Sequence, residues 1–159
     1  MKGRLLLLAA TALAGVGASV PAAAQAAPAA AQAAPAFSSK RFSVLVKGHG
    51  PDVILIPGLS SSRDVWSGTV AAVPGYRYHL IQVAGFAGEK AGANASGAVV
   101  APVADEIARY IAARGLQRPA LVGHSMGGTL AMMAAARHPQ RVGKVMVVDM
   151  LPQPAGLLG

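Results

Sequence analysis

From Arg41 to Lys47 apolar residues fall on alternate positions, at Phe42, Val44 and Val46. That is the period of a strand with one face buried. Gly48-His49-Gly50-Pro51-Asp52 is a tight turn, and Val53-Ile54-Leu55-Ile56 is then an unbroken apolar run stopped by Pro57-Gly58. A run of this kind reads as a strand covered on both faces, as in a parallel sheet. The two segments predict an opening hairpin. Asp64 is placed to cap a short helix from Val65 to about Val73, with Trp66 and Val70 one turn apart. Tyr78 to Val83 is another strand of the buried kind, with His79 packed in its interior. The Gly/Ala/Asn-rich stretch from Ala84 to Gly97 has no period and reads as an ordered loop. Val99, Val103, Ile107, Tyr110 and Ile111 recur at helical spacing from about Ala98 to Arg114. Pro102 sits in the first turn, where a missing N–H costs little, and Gly115 supplies the stop. Ala120–Val122 is a strand, Thr129–Arg137 a helix and Val142–Val148 a last strand. Strands alternating with helices over short connections specify an α/β doubly wound sheet. Functional groups in such sheets lie at the carboxyl ends of the strands. Here those ends are Gly58–Ser62, Ala84–Gly88, Ser125 and Asp149.

The first 36 residues carry a different pattern. Met1-Lys2-Gly3-Arg4 is basic, Leu5 to about Ala18 is apolar, and Ala22-Ala23-Ala24 has small residues in cleavage-site order. Together they read as a secretory signal peptide over 1–24. The apolar run falls short of the ~20 residues that span a bilayer, so no stable membrane anchor is expected after cleavage. Residues 25–36 are almost wholly Ala, Pro and Gln and form a semi-extended linker. The folded domain is then 37–159, and the expected location is periplasmic or secreted. The chain has no cysteine, which excludes a disulfide framework and thiolate metal sites. Its formal charge is +8, or +6 without Lys2 and Arg4. The arginines are scattered and not interleaved with aromatics, so no nucleic-acid stripe is present.

The most specific local pattern is Leu121-Val122-Gly123-His124-Ser125-Met126-Gly127-Gly128. It runs a strand into a turn with one serine and straight on into a helix. A G-x-S-x-G turn in that context can act as a nucleophile elbow. Gly123 and Gly127 are required if a Cβ at either place would strike a neighbouring backbone. The competing reading of Ser125 is an ordinary helix-capping serine. Asp64 and Asp105 read as helix-start residues and Glu106 as a solvated one. Gly85-Phe86-Ala87-Gly88 lacks the Lys-Ser or Lys-Thr of a phosphate loop and reads as a rim of the substrate cleft. Met126, Met132 and Met133 suit packing.

Three segments in this order resemble the first half of an α/β-hydrolase-fold enzyme. They are Gly123–Gly128, Ile54-Leu55-Ile56-Pro57-Gly58-Leu59 with Pro57 where the family usually has His, and Arg137-His138-Pro139-Gln140-Arg141-Val142. The resemblance covers about Phe42 to Leu151 and ends after about the sixth strand of that fold, a mostly parallel sheet with flanking helices. Pro152–Leu157 resembles the start of the connection where such enzymes insert a lid. The resemblance implies Ser125 as nucleophile of an acyl-enzyme reaction on a small ester or related acyl substrate. It also implies oxyanion donors at the backbone N–H groups of Met126 and Leu59, and no cofactor. The family's order places the acid and then the histidine after the nucleophile. Asp149 is the one candidate acid in the matched segment, on the minority pattern. None of His49, His79, His124 or His138 is suited to be the base: His138, the only one after Ser125, lies about 18 Å along a helix. The base, and on the commoner pattern the acid, are therefore expected beyond residue 159, and the 159 residues alone are expected to be inactive. An acyltransferase or perhydrolase of the same fold, and a non-catalytic fragment, are the alternatives.

Overall fold

The computed structural model describes residues 37–150. The expected leader at 1–24, the linker at 25–36 and the Pro152–Leu157 connection lie outside the described residues. Five strands form one sheet: β1 (Phe42–Gly48), β2 (Asp52–Ile56), β3 (Arg77–Val83), β4 (Ala120–His124) and β5 (Lys144–Val148). The helices are α1 (Ser67–Ala72), α2 (Val100–Ala113) and α3 (Met126–Arg137). Among the described residues no helix is long and apolar enough to cross a membrane.

The strand order is β1-β3-β2-β4-β5, so the expected opening hairpin does not form. β1 runs antiparallel to β3, from Phe42↔Val83 to Gly48↔Arg77, while β2 lies between β3 and β4, parallel to both. The burial patterns supply the reason. Val53–Ile56 are buried without a break, whereas β1 is largely exposed after Phe42. The doubly covered strand takes the interior position and the half-covered one takes the edge.

Alternate side chains of each strand enter separate cores. Ile54, Ile56, Ile81, Val83 and Leu121 face α2 and α3, where Val103, Ile107, Tyr110, Ile111 and Leu130 meet them. Val53, Leu55, Tyr78 and Leu80 face the other way, onto Trp66 and Val70. Each fully buried Val, Leu or Ile contributes about 1.5–3 kcal/mol relative to exposure. α2 buries the stripe expected of it and stops at Gly115, whose φ of +62° ends the helix in a left-handed residue.

Two local expectations are corrected. The cap before α1 is Ser62, whose Oγ accepts from the Asp64 N–H at 3.1 Å. Asp64 instead accepts from the Ser62 hydroxyl at 2.9 Å. The segment opens as a 3-10 turn over Arg63–Trp66, which puts the capping position two residues before Asp64. Glu106 is 5% exposed rather than solvated. It faces Arg109 at 3.0 Å and Arg41 at 3.8 Å, and this pairing offsets the cost of burying its charge.

Candidate active site

β2, β3, β4 and β5 are parallel, so their carboxyl ends share one edge of the sheet. The registers Ile56↔Gly123 and His124↔Val148 bring Pro57-Gly58, Ser125 and Asp149 side by side. The chain leaves β4 at Ser125 and enters α3 at the next residue. Ser125 has φ 52° and ψ −122°, a conformation that costs a non-glycine residue about 1–3 kcal/mol unless its surroundings impose it. They do impose it. The Ser125 N–H donates to the Val148 carbonyl at 3.0 Å, and the Ser125 carbonyl accepts from the Gly128 N–H at 2.8 Å.

The glycines permit this corner. A Cβ on Gly123 would lie 2.5 Å from the Gly128 nitrogen and collide with the Gly127 carbonyl. One on Gly127 would lie 2.6 Å from the Pro57 carbonyl oxygen and strike that of Ile56 as well. One on Gly58 would lie 3.2 Å from the Ser125 Cβ and 2.9 Å from the His124 Nδ1. Helix α3 therefore approaches the end of β2 backbone to backbone, and the Gly58 turn rests against the serine.

Although Ser125 occupies the capping position of α3, its side chain makes no capping hydrogen bond. The hydroxyl of the half-buried serine is thus not committed to the helix. Met126 is the first residue of α3, where backbone N–H groups have no partner within the helix. Leu59 lies in the turn closed by the Ser61 N–H on the Gly58 carbonyl at 3.2 Å, and is 64% exposed. Ser60 in this turn has φ 56°. The edge thus carries a hydroxyl outside the helix cap, the first residue of α3 and an exposed turn at Leu59, a set suited to attack on an acyl carbon.

The titratable candidates separate. Asp149 follows β5 with φ 50° and a side chain 90% exposed, its Oδ2 3.8 Å from the His124 Nε2. His138 closes the far end of α3 and pairs with Asp105 at 2.9 Å. Asp105 therefore ties α2 to the end of α3 and also faces Arg137 at 3.2 Å. His79 is buried in β3, hydrogen-bonded to Tyr110 at 2.6 Å and to Asp52 at 2.8 Å, at the opposite end of the strands from Ser125. His49 lies in the turn between β1 and β2, at that same opposite end.

One residue of this edge escapes sequence reasoning. Gln82 is 3% exposed near the end of β3 and bonds to both neighbouring loops. Its only sequence signal is an amide inside the apolar run His79-Leu80-Ile81-Gln82-Val83. A cavity of about 1060 Å³ opens elsewhere, on the α1 face of the sheet. Leu55, Trp66, Tyr78, Val122 and Met146 line it, and neither Ser125 nor Gly58 does. Its size does not make it the reacting site, since Ser125 and the Gly58 turn lie outside its lining.

Comparison with known proteins agrees with this fold. A family model described as alpha/beta hydrolase fold matches residues 51–158. A pimeloyl-[acyl-carrier protein] methyl ester esterase of Vibrio atlanticus is 32% identical over 109 residues, covering 68% of this chain and 40% of that protein. A protein of Yersinia enterocolitica provisionally named a carbamate hydrolase is 32% identical over 101 residues, 63% of this chain and 36% of its own length. A solved esterase from a marine microorganism superposes with a TM-score of 0.63 at 28% identity, covering 72% of this chain and 43% of that one. The chain thus spans about two fifths of the length of the curated relatives it matches.

Proposed function

The chain belongs to the alpha/beta hydrolase fold family, and on that premise we propose that it is the nucleophile-bearing part of an exported serine hydrolase. Hydrolase function accords with its esterase relatives. The finer reading assigns Ser125 as the nucleophile towards a small ester or related acyl substrate. Its Oγ attacks the acyl carbon, the alkoxy group leaves with a proton, and water later releases the acid from the acyl-enzyme. The oxyanion is received by the backbone N–H groups of Met126 and Leu59. Removing one such donor typically raises the barrier by about 2.7–4 kcal/mol.

The observation that carries the reading is the conformation of Ser125. Its φ of 52° is held by bonds to Val148 and Gly128 while its hydroxyl is left out of the helix cap. A capping serine would have extended dihedrals and spend its oxygen on the helix. Asp149 stands on the same edge as a candidate acid, although its 90% exposure and its place beside His124 also suit a loop-ordering carboxylate. No described histidine other than His124 lies at this edge, so the base is proposed to come from a part of the protein outside residues 37–150.

A fluorophosphonate probe tests the assignment on the full-length protein. The expected result is covalent labelling at Ser125, abolished in Ser125→Ala with an unchanged melting temperature. Labelling that persists in Ser125→Ala, or fails in a folded, esterase-active protein, overturns it.

A further inference from the structure

Gln82 is the buried polar group of the catalytic edge that the reaction itself does not use. Leu80 pairs with Leu55, so Gln82 stands level with Pro57, just beyond the paired end of β2. Its side chain points at backbone rather than into a cleft. Oε1 accepts from the Arg63 N–H at 2.8 Å, and Nε2 donates to the Ser61 carbonyl at 3.3 Å. The same Nε2 lies 3.5 Å from the Phe86 carbonyl and 3.4 Å from that of Val83. One amide thus holds the segment after β2 at two points and the segment after β3 at a third.

The segment it holds is the one against the nucleophile. Ser61 donates its N–H to Gly58 and gives its carbonyl to Gln82. The position of the Gly58–Ser61 turn is therefore set from the Gln82 side. The opposite side of that turn touches Ser125, where a Cβ on Gly58 would come within 3.2 Å of the serine Cβ. The other ties of this segment are peripheral: Arg63 reaches the Ser43 hydroxyl at the exposed surface and Glu89 at 3.9 Å. Exposed pairs of that kind hold geometry weakly, whereas a buried amide with both ends engaged is costly to displace.

We infer that Gln82 is a positioning residue for the oxyanion site, fixing the Gly58–Ser61 turn so that the Leu59 N–H faces the oxygen that becomes negative when Ser125 attacks the acyl carbon. The inference rests on the roles of Ser125 and Leu59 given above. Gln82 touches no substrate. Its loss lets the turn relax away from the serine, which weakens charge stabilisation in the transition state more than binding of the ground state.

The test compares full-length wild type, Gln82→Met and Gln82→Glu on a p-nitrophenyl ester and on the matching thionoester. An oxyanion hole favours oxygen over the larger, weakly accepting sulfur, so misplacing a donor lowers the ester-to-thionoester ratio, which a general loss of folded protein does not move. In Gln82→Met, kcat on the ester is expected to fall by roughly tenfold to hundredfold, with KM within about twofold and the ratio falling in step. Gln82→Glu keeps the acceptor for the Arg63 N–H but loses the donor to Ser61. Its expected loss is intermediate, and it decides the matter if Gln82→Met does not fold. Unchanged kcat per folded molecule, or a fall with a constant ratio, overturns the positioning role. Full activity in Ser125→Ala overturns the reading of the site itself, and is distinguished by being independent of Gln82.

Discussion

Ser125 holds a backbone conformation that its own side chain disfavours, and three residues without a Cβ make room for it. Gly123 and Gly127 are enclosed by backbone atoms, and backbone cannot swing aside as a flexible side chain can. Gly68 gives the opposite case, since a Cβ there meets nothing within 4 Å and the residue lies in α1. Gly127→Ala is therefore expected to lower stability by at least about 1–3 kcal/mol through overpacking and to abolish phosphonate labelling. Gly68→Ala is expected to be neutral or to stabilise by up to about 1 kcal/mol, as alanine replaces glycine within a helix. Thermal melting of both variants beside the labelling assay checks this, and equal tolerance at the two positions would refute the steric account. The Gly123 part of this constraint was legible in the G-H-S-M-G string, because it acts against Gly127 and Gly128 of the same turn, whereas the approach of Gly127 to Ile56 and Pro57 is made by a distant strand end. The Gln82 contacts were not legible, because Ser61 and Arg63 lie about twenty positions away in the chain.

Among the elements, the end of the sheet opposite Ser125 is fastened by a polar network that runs from the surface at Arg77 into the core at His79 and Tyr110. Asp52 at the start of β2 receives a two-pronged bond from Arg77 of β3, at 2.5 and 2.9 Å. His79 of β3 bridges Asp52 to Tyr110 of α2. With the imidazole proton on Nε2, His79 donates to Asp52 and accepts from the Tyr110 hydroxyl. The Arg77 bond, with a smaller contribution from His79, holds the Asp52 carboxyl below its ordinary value of 3.8 against the opposing effect of burial. Burial pushes the Tyr110 phenol up. A carboxylate with a lowered folded pKa adds stability that is complete above the unfolded value and is lost as the pH falls through the folded one. Asp52→Asn should therefore melt below wild type at pH 7. The gap should close as the pH drops through 3.8 and below. A gap that stays constant between pH 7 and pH 3 would show that the charge does not stabilise the fold. In sequence, His79 and Asp52 are a core histidine and a turn residue, and nothing local pairs them.

At the scale of the molecule, the arrangement of the 159 residues makes its own prediction about location. Expressed with a C-terminal tag in a Gram-negative host, the full-length protein is expected in the periplasmic fraction with Gln25 as its first residue. A cytoplasmic product that begins at Met1 would refute export. The described residues show a sheet with two unlike faces. One is packed by α2 and α3, and the other is partly covered by the six-residue α1, beside which the cavity of about 1060 Å³ opens. The sequence by itself determined the elements, the parallel α/β class and the serine corner. Each depends on spacing within a few residues: alternation in β1, a four-residue apolar run in β2, helical periodicity in α2, and glycines flanking Ser125. Tertiary structure decided the strand order, the burial of Glu106, the Asp52–His79–Tyr110 network and the hold of Gln82 on the Gly58 turn. Those depend on which faces are covered once all five strands compete for the interior. Burial is settled by the whole sheet at once, so no local window of sequence contains it.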